Sequence, residues 1–251
     1  MNLNRMIMKR KIGFVLVGLC IVAGTMAQTA PEPPTTVVET MYILPKRGMD
    51  DKLEAAIKAH NEKFHPSGPF VAGLRKVEYG DKAGWYVFVY GPTTYENIDK
   101  RPAKANGHDE DWTKTVDPLI ETYGSTSLWN LNKELTYGYD LLQKSKYYEL
   151  WMVTLKRGEY YRFKALSEKL KKAYESLGTE SFVVFDNPLH TANGPDVGLI
   201  WSFNTYKEWA DDPGPKAAYE KLYGAGTWQH LIDEWRDINV DYTAEIRSFV
   251  K

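Results

Sequence analysis

Five histidines carry most of the acid–base potential of this 251-residue chain: His60, His65, His108, His190 and His230. An unperturbed imidazole titrates near neutrality and is also the commonest metal ligand. His60 stands out because it recurs with Leu53, Ala56, Ile57 and Phe64 at helical spacing, on a stripe that should be buried. There it could polarise or deprotonate a bound molecule, or merely bond to a carbonyl or a tyrosine. It is the best catalytic candidate, with Tyr42 and Trp85 as the expected walls of its ligand pocket. His65 and His190 read as loop residues, His190 in the longer loop over 186–196, and His230 falls in a late helix. No HExxH-type spacing links the histidines, so no metal site is expected. A haem needs an axial ligand, and no histidine is singled out for that role, so no cofactor is expected either.

Other polar clusters have simpler readings. Glu39 and Glu149 occupy equivalent places near the start of two strands and could pair as acid and base. An unpaired buried charge is costly, so a barrel-mouth position or a bond to Arg or Lys is the more economical expectation. The run Asn106-Gly107-His108-Asp109-Glu110-Asp111 resembles a ligand cluster, but it directly precedes a helix, where acids cap amides and complement the dipole. Lys46-Arg47-Gly48 could hold an anion, yet no glycine-rich phosphate loop follows it. Aromatic residues are abundant in the expected strands, among them Tyr86, Phe88, Tyr90, Trp129, Trp151 and Trp201. They suit core packing first, and a pocket for a flat organic ligand or a sugar second.

The elements that must position these residues are written twice. Leu44-Pro45-Lys46-Arg47-Gly48 and Thr154-Leu155-Lys156-Arg157-Gly158 lie 110 residues apart, each ending a strand-like stretch and preceding a helical pattern. The same offset pairs Glu39 with Glu149, Met41 with Trp151 and Ile43 with Val153, and places His60 opposite Leu170. With small gaps the match extends to Trp112 with Trp228 and Asp117 with Asp233. Each copy reads strand, helix, strand, strand, helix, strand, the ferredoxin-like order, with an extra short helix before the last long one. The long helix of the first copy is expected to carry Trp112, Thr115, Val116, Leu119, Ile120 and Tyr123 on one face, with its last strand near 126–131. The first copy spans 37–135, a linker 136–146, and the second copy 147–251.

The N-terminal stretch expects a different fate. Lys9-Arg10-Lys11, an apolar run over 12–23 and Thr25-Met26-Ala27 form the pattern of a secretory leader. Its removal after Ala27 takes Arg5, Lys9, Arg10 and Lys11 and no acid, moving the formal charge from −1 to −5. Export to the periplasm or beyond is expected, with a Pro/Thr-rich spacer over 28–36 and no membrane span in the mature chain. Cys20, the single cysteine, leaves with the leader, so neither disulfide nor thiol chemistry remains. The acidic balance argues against a nucleic-acid partner.

Both faces of the expected strands are apolar, since Met41 and Ile43 point one way and Tyr42 and Leu44 the other. A ferredoxin-like sheet covered by helices on one side would therefore expose a large apolar face. Packing the two bare faces together solves this within one chain. At this point the sequence resembles the dimeric α+β-barrel superfamily in a tandem-fused form, with a layout shared by NIPSNAP-type proteins and cofactor-independent monooxygenases. The resemblance implies an α+β fold, two ferredoxin-like repeats forming an intramolecular barrel as a monomer, and pockets between sheet and helices. The expected function is small-molecule binding or catalysis in a pocket of the first repeat around His60. The alternatives are a non-catalytic module with filled pockets, or a haem- or metal-binding protein.

Overall fold

The computed structural model describes residues 34–101, 105–189, 191 and 194–250. The leader and most of the spacer expected over 1–36, together with His190, lie outside the described residues.

The chain runs β1 (Val37–Pro45), α1 (Asp50–Phe64), β2 (Ala72–Tyr79), β3 (Tyr86–Thr93), α2 (Tyr95–Asp99), α3 (His108–Thr115) and β4 (Ile120–Leu131). After α4 (Tyr139–Lys144) follow β5 (Tyr147–Leu155), α5 (Tyr160–Leu177), β6 (Val183–Asp186) and β7 (Val197–Phe203). The chain closes with α6 (Tyr206–Asp211), α7 (Lys216–Tyr223), α8 (Thr227–Ile238) and β8 (Asn239–Val250). Among the described residues, eight antiparallel strands form one closed barrel in the order β1-β3-β2-β8-β5-β7-β6-β4. Closure leaves no unpaired edge, which is how such sheets avoid templating aggregation. No helix among the described residues is long and apolar enough to cross a membrane.

Strand alternation sorts the side chains into an interior and an outer layer. On β1, Val38, Thr40 and Tyr42 line the barrel interior, while Met41 and Ile43 meet Leu53 and Ile57 of α1. On β5, Leu150 and Met152 face inward, while Trp151 and Val153 pack under α5 and α8. Helix α1 starts with Asp50 and Asp51, which complement its dipole, and buries Leu53, Ile57 and His60 on one stripe. Helix α5 buries Phe163, Leu166 and Tyr174 and stops at Gly178, whose φ of 75° supplies the left-handed cap.

One expectation about the helices fails for a local reason. Helix α3 ends at Thr115, a short 3-10 turn covers Asp117–Leu119, and Ile120 and Tyr123 belong to β4. Pro118 has no amide donor and disfavours helix at Asp117 before it. The equivalent stretch after Asp233 carries no proline, and α8 runs unbroken to Ile238. The chain breaks between α6 and α7 at Pro213-Gly214-Pro215, and α7 buries Tyr219 against the α5 layer.

Candidate functional site

Three of the five histidines meet outside the barrel, between the sheet and the helices of the N-terminal half. His60 lies on the buried stripe of α1, His65 is the residue that caps its end, and His108 opens α3. The chain reaches His108 through Asn106 and Gly107, both left-handed at φ 57° and 77°. That double turn sets the first residue of α3 against the end of α1. His60 is 1% exposed and His65 9%, whereas the His108 ring is partly open to solvent.

Each Nδ1 is tied to an acceptor. His60 Nδ1 donates to Asp111 Oδ2 at 2.9 Å, His65 Nδ1 to the Phe70 carbonyl at 2.7 Å, and His108 Nδ1 to Asp109 Oδ1 at 2.9 Å. A carbonyl or carboxylate oxygen can only accept, so the three protons sit on Nδ1. In the neutral rings all three Nε2 atoms are then bare lone pairs. His108 Nε2 lies 3.2 Å from His60 Nε2 and 3.1 Å from His65 Nε2. Two lone pairs cannot hydrogen-bond, so this contact is repulsive until a cation sits among them.

The spacing suits one metal ion. Imidazole nitrogens ~2.0–2.1 Å from a tetrahedral zinc lie roughly 3.3 Å from one another. Two of the three pairs match this, and all the ligand atoms fall within 4.8 Å of one another. The outer partners also fit, because ligating histidines generally present their second N–H to a carboxylate or carbonyl. Burial pushes the His60 and His65 pKa values down, although the Asp111 and Phe70 bonds work the other way, so the neutral, ligating form is favoured. Phe64 and Trp112 stand 4.9 Å and 5.1 Å from the His60 ring and exclude water on that side.

The cluster borders a cavity of about 700 Å³ that also touches Met41, Phe70, Phe88 and Tyr90. Its polar wall is Glu39, which accepts a two-pronged bond from Arg101 at 3.1 and 3.2 Å. Arg101 in turn lies over the Tyr90 ring at 4.1 Å. Glu39 thus has the basic partner expected for it. Glu149 has none among the described residues and instead accepts the indole N–H groups of Trp151 and Trp209 at 2.6 and 2.8 Å.

Tyr42 and Trp85 do not join His60. Tyr42 points into the barrel, one residue out of phase with Met41, and Trp85 packs edge-on against it at 6.4 Å. Tyr42 Oη donates to Glu245 at 3.0 Å and accepts from Arg247 at 2.5 Å, and Arg247 is also paired with Glu245 at 2.7 Å. Burial and the Glu245 carboxylate push the Tyr42 hydroxyl pKa well up, so it stays protonated. Tyr42 and Arg247 border an interior cavity of about 190 Å³. The second half is not filled by side chains either: a cavity of about 750 Å³ lies beside Leu170.

His65 and His108 are the residues that spacing along the chain missed. Asp109 and Asp111 do sit in the first turn of α3, but the N-cap is Gly107 and no side chain caps the helix. Their second task is to hold imidazoles. The available signal was that three of five histidines fall in the first half, each next to an element end or a buried stripe. His230 is exposed on α8. A haem would need one imidazole facing a flat slot, whereas these three face one another, an arrangement for a single ion.

No family model and no curated protein matches this sequence. Solved structures do share its fold. A candidate monooxygenase from Lactobacillus acidophilus is 13% identical over 86% of this chain and 95% of its own, with a TM-score of 0.52. One from Fusobacterium nucleatum is 9% identical over 87% and 94%, at 0.56. Chlorite dismutase from Candidatus Nitrospira defluvii, in complex with imidazole, is 12% identical over 86% and 92%, at 0.53. This chain shares with them a mixed α+β fold, one antiparallel sheet with helices outside.

Proposed function

We propose that this chain is a metal-dependent enzyme acting on a small organic molecule, with His60, His65 and His108 holding one divalent cation. The reading is carried by one observation: all three Nδ1 protons are spoken for, so three Nε2 lone pairs converge beside a cavity. Three protein ligands leave a coordination position open, the arrangement of catalytic rather than structural centres. Imidazole ligands suit zinc, copper, iron and nickel. Such an ion supplies Lewis acidity or an activated water at neutral pH. The chain's own residues do the rest. Phe70, Phe88 and Trp112 hold an apolar body, and the Glu39–Arg101 pair orients a polar substituent. The names of the structural neighbours, a chlorite dismutase and candidate monooxygenases, support small-molecule chemistry on this scaffold. We further read the two halves as fused copies of one unit, supported by the 110-residue sequence offset and by their matching strand orders, β4-β1-β3-β2 and β8-β5-β7-β6.

The test is stoichiometry followed by turnover. Chelator-treated protein dialysed against Zn²⁺, Co²⁺ or Fe²⁺ should take up one equivalent, and His60→Leu, which installs the residue of the second copy, should take up none. A metabolite panel rich in phenols and quinones should then yield turnover only in loaded protein. Uptake by neither protein, or equal uptake by both, would rule the reading out.

A further inference from the structure

The cavity of the C-terminal half has a chemistry of its own. It measures about 750 Å³ and is walled by Trp151, Trp201, Trp209, Trp228 and Trp235, five of the eight tryptophans in the chain. Its charged lining residues are Glu149, Glu180, Glu208, Asp211 and Asp212, and no described Lys, Arg or His lines it. The N-terminal cavity, by contrast, sets Lys63 and Arg101 against Glu39 and Asp109 beside the histidines. The cavities of the two halves therefore differ in charge balance, one mixed and the other acidic.

The acids are unequally committed. Asp211 is paired with Lys207, and Asp212 accepts the Gly214 amide at 2.6 Å. Glu208 accepts the Asn204 amide at 2.9 Å. Glu149 accepts two indole N–H groups and meets no cation among the described residues, and by gripping those edges it fixes two indoles in the cavity wall. Glu180 makes no hydrogen bond or ion pair with any described residue. Burial, with Asp212 and Glu208 nearby, pushes its pKa up, the mark of negative charge lacking a counter-charge.

Indole faces and uncompensated carboxylates together favour one kind of guest. Aromatic rings attract cations through their quadrupole, tryptophan most strongly, and cages of them recognise alkylated ammonium groups. A neutral apolar guest would gain from the walls but leave the carboxylates uncompensated, and an anion would be repelled.

We infer that the Trp-lined cavity of the C-terminal half binds an organic cation, an alkylated or aryl-substituted ammonium whose charge sits against the indoles near Glu180. This site is distinct from the histidine cluster and stands whether or not that cluster holds a metal.

The experiment titrates the full chain with benzyltrimethylammonium, its neutral isostere neopentylbenzene, and benzenesulfonate, followed by tryptophan fluorescence and calorimetry. The cation should bind with one-to-one stoichiometry, roughly tenfold or more tighter than the isostere, and the sulfonate should not bind. Trp209→Ala is chosen because Trp209 is already 42% exposed, so the fold tolerates its loss. Glu180→Gln should weaken the cation several-fold and leave the isostere unchanged, while Trp209→Ala, which removes one indole wall, should weaken the cation several-fold and the isostere less. Equal binding of cation and isostere, no binding of either, or affinities untouched by both substitutions would overturn the assignment.

Discussion

The histidine cluster makes a quantitative demand on stability. An ion that binds the folded chain and not the unfolded one stabilises it by mass action, about 2.7 kcal/mol at a free concentration 100 times the dissociation constant. A fold of about 220 residues unfolds with an entropy of roughly 0.46 kcal/mol/K near its midpoint. Saturating metal should therefore raise the melting temperature of chelator-treated protein by about 6 °C. Asp111 accepts the His60 Nδ1 proton and also binds Lys63 at 3.0 Å. Removing such an outer partner typically lowers metal affinity 10–100-fold. Asp111→Asn at the same metal concentration should then rise by only about 1–3 °C. His108→Ala removes a ligand at a partly exposed position and should show no rise, with its metal-free melting temperature close to that of the parent. The control is His230→Ala, exposed on α8, which should behave as the parent does. Thermal melts by circular dichroism with Zn²⁺, Co²⁺ and Mn²⁺ measure all four proteins, and Co²⁺ adds the visible absorption of a low-coordinate site. Should none of the metals move the parent, or should His108→Ala rise as far as the parent, the three lone pairs are not a metal site.

Three further outcomes follow from the packing. In the barrel interior, Arg247→Met alone strands the Glu245 carboxylate and should cost about 3–5 kcal/mol, while the double variant Arg247→Met/Glu245→Leu should recover most of it in urea melts. Gly124 sits where a Cβ would come within 2.8 Å of Tyr42 Cβ and 3.0 Å of the Trp85 ring. Gly124→Ala should destabilise by about 1–3 kcal/mol and disturb the near-ultraviolet signal of that pair. Glu180 has a raised pKa, so it takes up its proton above the ordinary carboxylate range. Benzyltrimethylammonium affinity should therefore fall as pH drops through that raised value and flatten in Glu180→Gln. The same shift means that the folded chain holds this proton more tightly than the unfolded one. Its contribution to stability is present at low pH and lost as pH rises through the folded pKa.

Strand and helix order were legible because they depend on local patterning. The stripe of Leu53, Ile57 and His60 and the alternation along β1 follow from 3.6-residue and two-residue periods, and the apolar character of both strand faces called for a barrel. In the sequence alone, the 110-residue offset set His60 opposite Leu170, a titratable residue against an apolar one. Pro118 is equally legible, and it ends α3 where the apolar stripe taken alone predicts more helix.

Which side chains meet was another matter. Tyr42 and Met41 are neighbours in sequence, yet the pleat sends one to the Glu245–Arg247 pair and the other to the histidine side of the sheet. His60 and His108 are 48 residues apart in sequence, and only the left-handed Asn106-Gly107 turn at the head of α3 brings their Nε2 atoms to 3.2 Å. Residue types and spacings fix what each element is, because those depend on bonds and neighbours a few residues away. Convergence of lone pairs, or of indole faces around a carboxylate, depends on how elements distant in sequence are set against one barrel wall, and that only the folded chain decides.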